Sequence, residues 1–325
     1  MIYNEPHRPS GITNLYKPHV SPKIGLVLGS GASRGWSHIG VIKALLREGI
    51  EPDIICGTSV GAMMGAAYLT GNLEKLEKWV LSSTRTDVYK FFNVKFSQSG
   101  FADKDRMIRF LKTYVTGEGT RVEDLRKPYA AVSTNLENGR EMWFTDGSLV
   151  DAVRASMALP GLFPAVHIDH RWMVDGGLVN PVPVSTCRAL GADIVIAVNL
   201  NSDIIGKRNN KKLEPEPERE QTNKKGVLQN IKQTTREYSN SIFPDREKPA
   251  EPPGLFTAIT NSINIVQDRI TRSRLAGDPA EVLISPRLAH IGLLEFHRAA
   301  EAIKEGENCV NNVLDEIHRI LAVES

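Results

Sequence analysis

The stretch that decides the fold is IICGTSVGAMMGAAY, residues 54–68. A short apolar run ends in GTSVG, and small residues at helical spacing follow it. A G-x-S-x-G sequence between a strand and a helix forms a turn so sharp that the residues flanking the serine must be tiny, and the serine hydroxyl then projects above the sheet. The same five letters also recur by chance, so the alternative is a serine between two glycines that serve packing alone.

The surrounding segments alternate between strand and helix patterns. KIGLVLGSG predicts a buried strand at 24–28 that runs into a glycine-rich turn, and GWSHIGVIKALLREGI has the apolar spacing of a helix. A second strand at about 53–56 leads into GTSVG and a helix over about 60–70. PYAAVSTNL and REMWFT predict a strand pair joined at Asn138 and Gly139. This alternation predicts an α/β fold with a largely parallel sheet covered by helices on both faces.

The chain divides into four parts by composition. Residues 1–22 form a polar, proline-containing arm without the apolar core of a signal peptide, and residues 23–200 carry the α/β pattern. Residues 201–254 are dominated by Lys, Glu, Asn, Gln and Pro, which predicts a flexible polar linker. Residues 255–325 predict a C-terminal extension that packs on the α/β domain. It comprises a helix, the strand EVLIS and two amphipathic helices at 294–305 and 308–322.

Composition limits the partners and the location. The chain has 325 residues, 41% of them apolar and 24% charged, which is typical of a globular protein. A net charge of +2 argues against a nucleic-acid partner. Cys56, Cys187 and Cys309 are scattered without metal-ligand spacing and favour a reduced intracellular protein. No run of about 18 apolar residues occurs. We therefore expect a cytoplasmic protein without metal or cofactor; peripheral contact with the inner membrane and self-association stay open.

The two glycine-containing turns suggest chemistry at one sheet edge. The first turn, GSGASRG at residues 29–35, presents backbone N–H groups, and the second presents the serine. Donors in one turn and a nucleophile in the next suit an oxyanion hole for acyl transfer. The alternative is a loop that cradles a phosphate. It is disfavoured because GK[ST] is absent and the strict G-x-G-x-x-G is not met.

A serine hydroxyl is a poor nucleophile and requires a base. His38 lies within the helix after the first turn, and His167 and His170 flank VHIDH, but none of the three has a compelling position. Asp175 in MVDGGLVNPVP is the better candidate, because the two glycines after it let the backbone turn tightly and leave the carboxylate exposed. In isolation, however, Asp-Gly-Gly is most often a surface turn.

Taken together in this order, GSGASRGWSHIGVIKALLREGI, GTSVG and DGG resemble the patatin-like phospholipases. More narrowly, they resemble the bacterial RssA-like subgroup related to neuropathy target esterase. The resemblance covers roughly residues 23–200, and GDPAEVLISPRLAHIGLLEFHRAAEAIKEGE also looks like the C-terminal extension of that subgroup. It implies a patatin-like three-layer α/β/α fold.

The resemblance also implies a function. It predicts a serine lipid acyl hydrolase, a carboxylic ester hydrolase that acts on a phospholipid, lysophospholipid or other acyl ester through an acyl-enzyme. Ser59 would be the nucleophile and Asp175 the base of a Ser-Asp dyad. The oxyanion hole would use backbone N–H groups around Gly31, Ala32 and Ser33, with Arg34 in the family's basic position. The supporting motif glycines are Gly35, Gly57, Gly61, Gly176 and Gly177.

Two features stay open at this point. The apolar stretches FFNVKF and ALPGLFPAV would line an acyl groove or belong to the plain core. Where the family usually has three consecutive glycines, this chain has Ser30-Gly31-Ala32. We expect a negative φ at Ala32, because Gly31 is able to take any unusual conformation and alanine donates its N–H equally well. If a positive φ were required there, the alternative would be a catalytically weak regulatory or lipid-binding protein with the same fold.

Overall fold

The computed structural model describes residues 21–84, 104–203 and 255–324. The predicted arm up to residue 20, the polar linker beyond residue 203 and FFNVKF at 91–96 therefore lie outside the described residues. Within the described ranges, no helix is both long enough and apolar enough to cross a membrane.

The centre of the protein is an eight-stranded sheet in the order β5-β6-β3-β2-β1-β7-β8, with β4 also paired to β3. β1, β2, β3, β7 and β8 pair in parallel, whereas the pairs β3–β4, β3–β6 and β5–β6 are antiparallel. The predicted, largely parallel sheet is thus confirmed. The strands are β1 Ile24–Leu28, β2 Ile54–Thr58, β3 Tyr129–Asn135, β4 Glu141–Phe144, β5 Val166–Ile168, β6 Arg171–Asp175, β7 Ile194–Val198 and β8 Val282–Ile284.

Helices cover this sheet. Among the described residues the α-helices are α1 Ser37–Arg47, α2 Val60–Leu69, α3 Leu73–Ser82, α4 Lys104–Leu111, α5 Leu149–Ser156, α6 Val184–Ala189, α7 Leu255–Gly277 and α8 Ala299–Glu324. Short 3-10 turns at Ala32–Trp36 and Gly176–Leu178 follow β1 and β6.

Side chains alternate between two cores along the central strands. Leu26 and Leu28 of β1 belong to a large apolar cluster that includes residues of α1, α2, α3 and α8. Val27 and Cys56 point the other way, into a smaller cluster with Cys187 of α6. Because successive side chains of a strand face opposite sides, both faces of the sheet are buried, and the three-layer architecture follows.

The C-terminal extension joins the sheet directly. EVLIS forms β8, which pairs in parallel with β7. The expectation of two helices beyond it is wrong, since α8 runs without a break through Gly306. This glycine does not end the helix because it serves packing against α1: a Cβ atom at Gly306 would lie 2.1 Å from the carbonyl oxygen of Ser37. A Cβ at Gly40 would likewise lie 2.0 Å from the carbonyl oxygen of Ile303, so the two helices touch backbone to backbone.

Candidate active site

Strand register brings Ser59 and Asp175 to the same height of the sheet. Thr58 pairs with Val132 of β3, and the next residue of β3, Ser133, pairs with Asp175 at the end of β6. Ser59, directly after Thr58, is therefore level with Asp175 across β3. The Ser59 hydroxyl donates a hydrogen bond of 2.6 Å to Asp175 Oδ2. Two residues 116 positions apart in sequence thus meet at one edge of the sheet.

The turn that carries Ser59 is strained. Ser59 has φ 58° and ψ −125°, a region that non-glycine residues rarely occupy. The N–H of Ser59 donates to Ser156 Oγ at 2.8 Å, and the Ser156 hydroxyl donates to the carbonyl oxygen of Val132 at 2.5 Å. Ser156, at the end of α5, therefore ties the strained turn to β3. Sequence reasoning missed this residue, because a serine near the end of a helix carries no distinctive local signal.

The glycines that flank Ser59 are required for space. A Cβ atom at Gly61 would lie 2.0 Å from the carbonyl oxygen of Leu28, and one at Gly57 would lie 2.5 Å from the backbone of Ala62. The start of α2 thus lies against the end of β1 with no room for a side chain. This contact holds the serine turn next to the glycine-rich turn.

The glycines after Asp175 are also determined by close contacts. A Cβ at Gly176 would lie 2.1 Å from the carbonyl oxygen of Val132, and one at Gly177 would lie 2.4 Å from Nε2 of Gln267. The expectation that these glycines leave the carboxylate exposed is wrong: they let β3 and α7 approach Asp175 so closely that only 1% of the residue remains exposed.

Burial changes the acidity of Asp175. Loss of solvation raises the pKa of this carboxyl to about 6, even though hydrogen bonds from the Ser59 hydroxyl and the Gly177 N–H favour the ionised form. The Gly177 N–H bonds to Oδ1 at 2.7 Å and leaves Oδ2 to Ser59. One oxygen of the carboxyl is thus anchored to the backbone, and the other faces the serine.

The glycine-rich turn presents two free N–H groups. Those of Gly31 and Ala32 have no hydrogen-bond acceptor among the described residues, whereas the N–H of Ser33 donates to the carbonyl oxygen of Leu293 at 3.3 Å. The Ser33 hydroxyl is also engaged, with the carbonyl oxygen of Gly292 at 2.7 Å. This geometry removes Ser33 from the predicted set of oxyanion donors and leaves Gly31 and Ala32.

Arg34 holds the peptide between these two residues. Its Nε donates to the carbonyl oxygen of Gly31 at 3.2 Å, and its guanidinium also reaches the carbonyl oxygen of Leu200 and Oδ1 of Asn264. In a trans peptide the C=O and N–H bonds point in opposite directions. By holding the Gly31 carbonyl on one side, Arg34 directs the Ala32 N–H to the other.

The expectation of a negative φ at Ala32 is wrong. Ala32 has φ 49°, in the left-handed region, while Gly31 has φ 170°, which is extended backbone. Gly31 is needed for a different reason: a Cβ there would lie 2.7 Å from the side chain of Leu200. The glycine thus makes room for a neighbour, and the alanine takes the unfavourable conformation.

The three histidines considered above do not complete a triad. His38 is fully buried, its Nε2 lies 2.8 Å from the carbonyl oxygen of Gly29, and burial lowers its pKa to about 4. His167 and His170 lie at the tip of the β5–β6 hairpin, where His167 packs against Trp172. In the part of the chain that the structure describes, no histidine is hydrogen-bonded to Ser59 or Asp175.

Two pockets meet at Ser59 and Ala32. One is almost wholly apolar, and its walls include Trp36, Met63, Trp79, Phe110, Leu162 and Phe163. Its empty space, including the part open to solvent, is about 690 Å³. The other pocket is smaller, about 340 Å³, and polar; α7 and the glycine-rich turn form its walls. Of the stretch ALPGLFPAV, Leu159, Leu162 and Phe163 line the apolar pocket, and Ala158 and Val166 are core.

The fold and this site define an α/β protein with a serine on a strand–turn–helix elbow and an aspartate as its partner. The family model of patatin-like phospholipases matches residues 26–188. The chain belongs to the patatin-like phospholipase family.

Its relatives include members named for neuropathy target esterase (NTE). An uncharacterized NTE family protein of Mycobacterium tuberculosis is 31% identical over 91% of this chain and 92% of its own length. The mouse patatin-like phospholipase domain-containing protein 7 is 32% identical over 61% of this chain, but that region is 15% of the mouse protein. Among solved structures, VipD of Legionella pneumophila aligns with a TM-score of 0.46 and 14% identity, over 91% of this chain and 67% of VipD. Family membership supports a lipid hydrolase function in general terms.

The conformation of Ala32 gives a stability prediction. A left-handed conformation costs an alanine roughly 1–2 kcal/mol, and glycine avoids this cost while giving the unfolded chain more freedom. We expect Ala32→Gly to raise the free energy of unfolding by about 0.5–1 kcal/mol in urea denaturation. The matched control is Ala44→Gly within α1, which should lower it by about 1 kcal/mol. A loss of stability in both variants would contradict a strained Ala32.

Proposed function

We propose that the protein is a serine lipid acyl hydrolase in which Ser59 is the nucleophile and Asp175 is its base. The observation that carries this proposal is the 2.6 Å hydrogen bond from the Ser59 hydroxyl to a buried carboxyl. Two further features support it. The free N–H groups of Gly31 and Ala32 belong to the adjacent turn, and an apolar pocket opens at the same serine.

Acylation follows from these contacts. Ser59 Oγ attacks the carbonyl carbon of the ester while Oδ2 of Asp175 takes the hydroxyl proton. The carbonyl oxygen becomes an oxyanion, which the N–H groups of Gly31 and Ala32 stabilise. When the tetrahedral intermediate collapses, the bond to the alcohol breaks, and the alcohol leaves with the proton from Asp175. The acyl group remains on Ser59.

Deacylation repeats these roles with water. Asp175 takes a proton from a water molecule as its oxygen attacks the acyl carbon, and the same N–H groups stabilise the second oxyanion. Collapse breaks the bond to Ser59 Oγ, which takes back the proton from Asp175, and the fatty acid is released. The free serine and the ionised carboxylate are then restored.

Burial is what makes an aspartate adequate as the base. An ordinary aspartate, with a pKa of about 3.9, is a weak base at neutral pH. The pKa of about 6 at Asp175 is closer to the working pH, so the carboxylate is still mostly ionised at pH 7 and is more basic.

The apolar pocket supports an acyl chain as the part of the substrate held beside Ser59. Its walls are aromatic and aliphatic side chains, which favour hydrocarbon over a polar group. The pocket would accept the acyl chain of a phospholipid, a lysophospholipid or another long-chain ester. A catalytically weak regulatory or lipid-binding protein of the same fold remains the alternative, and the strained Ala32 is the feature that favours it.

The proposal is tested by removing each member of the pair. We expect Ser59→Ala to abolish hydrolysis of p-nitrophenyl esters and labelling by a fluorophosphonate probe, without unfolding the protein. Asp175→Asn should lower kcat/KM by at least about a hundredfold, since it removes the base. His167→Gln and His170→Gln are controls that should retain activity. Equal turnover by wild type and Ser59→Ala would refute the assignment, and an unlabelled wild type would favour the non-enzymatic alternative.

The raised pKa of Asp175 predicts opposite pH dependences for activity and stability. Activity needs the ionised carboxylate, so kcat/KM should rise with pH through about 6 and then level off. The folded state binds this proton more tightly than the unfolded state, so the contribution of Asp175 to stability is fully present below about pH 4 and is lost as the pH rises through about 6, by roughly 2–3 kcal/mol.

Both effects are measured against Asp175→Asn, which cannot titrate at this position. The unfolding free energy of the wild type minus that of this variant should decrease as the pH rises from 4 to 7. A difference that stays constant with pH would contradict the raised pKa.

The apolar pocket predicts selectivity for the length of the acyl chain. Ser83 lines the pocket, whereas its neighbour Ser82 is exposed, and both hydroxyls bond to the carbonyl oxygen of Trp79. We expect Ser83→Trp to lower kcat/KM for dodecanoyl esters by about tenfold or more relative to butanoyl esters, because the indole fills space that a long chain needs. Ser82→Trp is the matched control and should leave the ratio unchanged. An unchanged ratio in Ser83→Trp would place the acyl chain elsewhere.

A further inference from the structure

The polar pocket is not needed for the acyl chain, yet it opens onto the same serine. Ser59, Asp175 and Ala32 contribute to its walls, and so do Asn264 and Gln267 of α7. Helix α7 begins more than fifty residues after the end of β7, so this wall comes from a distant part of the sequence. The acyl mechanism derived above gives these two amides no role.

Both amide side chains are almost completely buried. Asn264 is 5% exposed and Gln267 is 6% exposed, and their spacing of three residues places them on one face of α7. Oδ1 of Asn264 accepts from Arg34 at 3.4 Å. Oε1 of Gln267 accepts from Ser30 Oγ and from Nδ2 of Asn201, each at 3.3 Å. The oxygen of each amide is therefore occupied on the protein side.

These contacts fix which end of each amide faces the pocket. The amide oxygens face donors of the protein, so Nδ2 of Asn264 and Nε2 of Gln267 are the atoms that face the pocket. Neither NH₂ group has a hydrogen-bond acceptor among the described residues. Nε2 of Gln267 lies directly over Gly177, since a Cβ atom at Gly177 would lie 2.4 Å from it. When an alcohol fills the pocket and displaces its water, each NH₂ needs a new acceptor, and an oxygen of the ligand would supply it.

We infer that Asn264 and Gln267 bind the alcohol half of the ester, and that this alcohol carries hydrogen-bond acceptor oxygens beyond the ester itself. The inference rests on the proposed function. With the acyl chain in the apolar pocket and its carbonyl carbon at Ser59, the alcohol oxygen faces the other pocket that meets this serine. The two NH₂ groups are donors only. They match the hydroxyl oxygens of a glycerol or the oxygens of a phosphodiester, and both sources share this acceptor chemistry.

This arrangement makes the two amides specificity-determining. An alcohol without further oxygens would leave both NH₂ groups unpaired when it fills the pocket, whereas an oxygen-bearing alcohol would satisfy them. Selectivity between alcohols would thus come from α7 and selectivity between acyl chains from the apolar pocket.

The test uses three esters with the same decanoyl chain: ethyl decanoate, 1-decanoylglycerol and 1-decanoyl-glycerophosphocholine. We expect Gln267→Met and Asn264→Leu, which remove the donors at similar size, each to lower kcat/KM for the oxygen-bearing esters by roughly 5- to 100-fold, with ethyl decanoate changed less than about threefold. Val266→Met, at the exposed neighbouring position, is the control and should change none of them. A larger loss with the glycerol ester identifies hydroxyl oxygens as the ligand, and a loss confined to the phosphocholine ester identifies the phosphate.

Equal losses on all three esters would overturn the inference, because they would indicate a purely structural role for the amides. No loss on any ester would overturn it as well. A second readout is independent of turnover: binding of 1-decylglycerol ether and of decyl ethyl ether to Ser59→Ala, with and without Gln267→Met. The inference requires the preference for binding the glycerol ether to disappear with Gln267→Met. Failure of the proposed function would appear separately, as unchanged ester hydrolysis in Ser59→Ala alone.

Discussion

The hydrogen bond between Ser59 and Asp175 is the constraint on which the rest of the site depends. This 2.6 Å hydrogen bond to a buried carboxyl requires the ends of β2 and β6 to be level across β3. That register in turn requires backbone approaches that only glycine permits, at Gly61 beside β1 and at Gly176 beside β3. The same burial that makes the carboxyl more basic also disfavours its charge. The fold therefore has to supply the stability that this charge removes.

Each of the two turns at the site contains a residue with a strained backbone. Ser59 and Ala32 both have a positive φ, and both turns are tied to neighbouring elements by buried polar groups, Ser156 for the first and Arg34 for the second. Strain of roughly 1–3 kcal/mol at a residue persists only when its surroundings determine the conformation. Here those surroundings keep two N–H groups and one hydroxyl fixed before any substrate arrives. A preorganised site of this kind needs little rearrangement when charge develops on the substrate.

The sequence predicted the parts of the site that have a local pattern. Ser59 and Asp175 can be identified from the sequence because each has glycine neighbours, in GTSVG and in DGG. Close backbone contacts require these glycines, so they form a recognisable local pattern. The alternation of strands and helices likewise predicted the sheet. Ser156 and Gln267 carry no such signal, because each lies in an ordinary helix and becomes significant only where the chain returns to the site. The prediction of a negative φ at Ala32 is wrong because it assigns the unusual conformation to Gly31. The role of Gly31 is instead to make room for Leu200.

The two sides of the serine are built by different parts of the chain. The family model ends at residue 188, and the region it matches contains the elbow, the aspartate and most of the apolar pocket. The amides of the polar pocket lie beyond it, on α7, and Gln267 contacts the turn through Ser30. A serine at this position fills the space next to Gln267 and donates to its oxygen, so the turn and the helix match each other. In the proposed mechanism, the nucleophile and the base therefore come from the region that the family model matches, whereas the pocket for the alcohol depends on α7, outside that region.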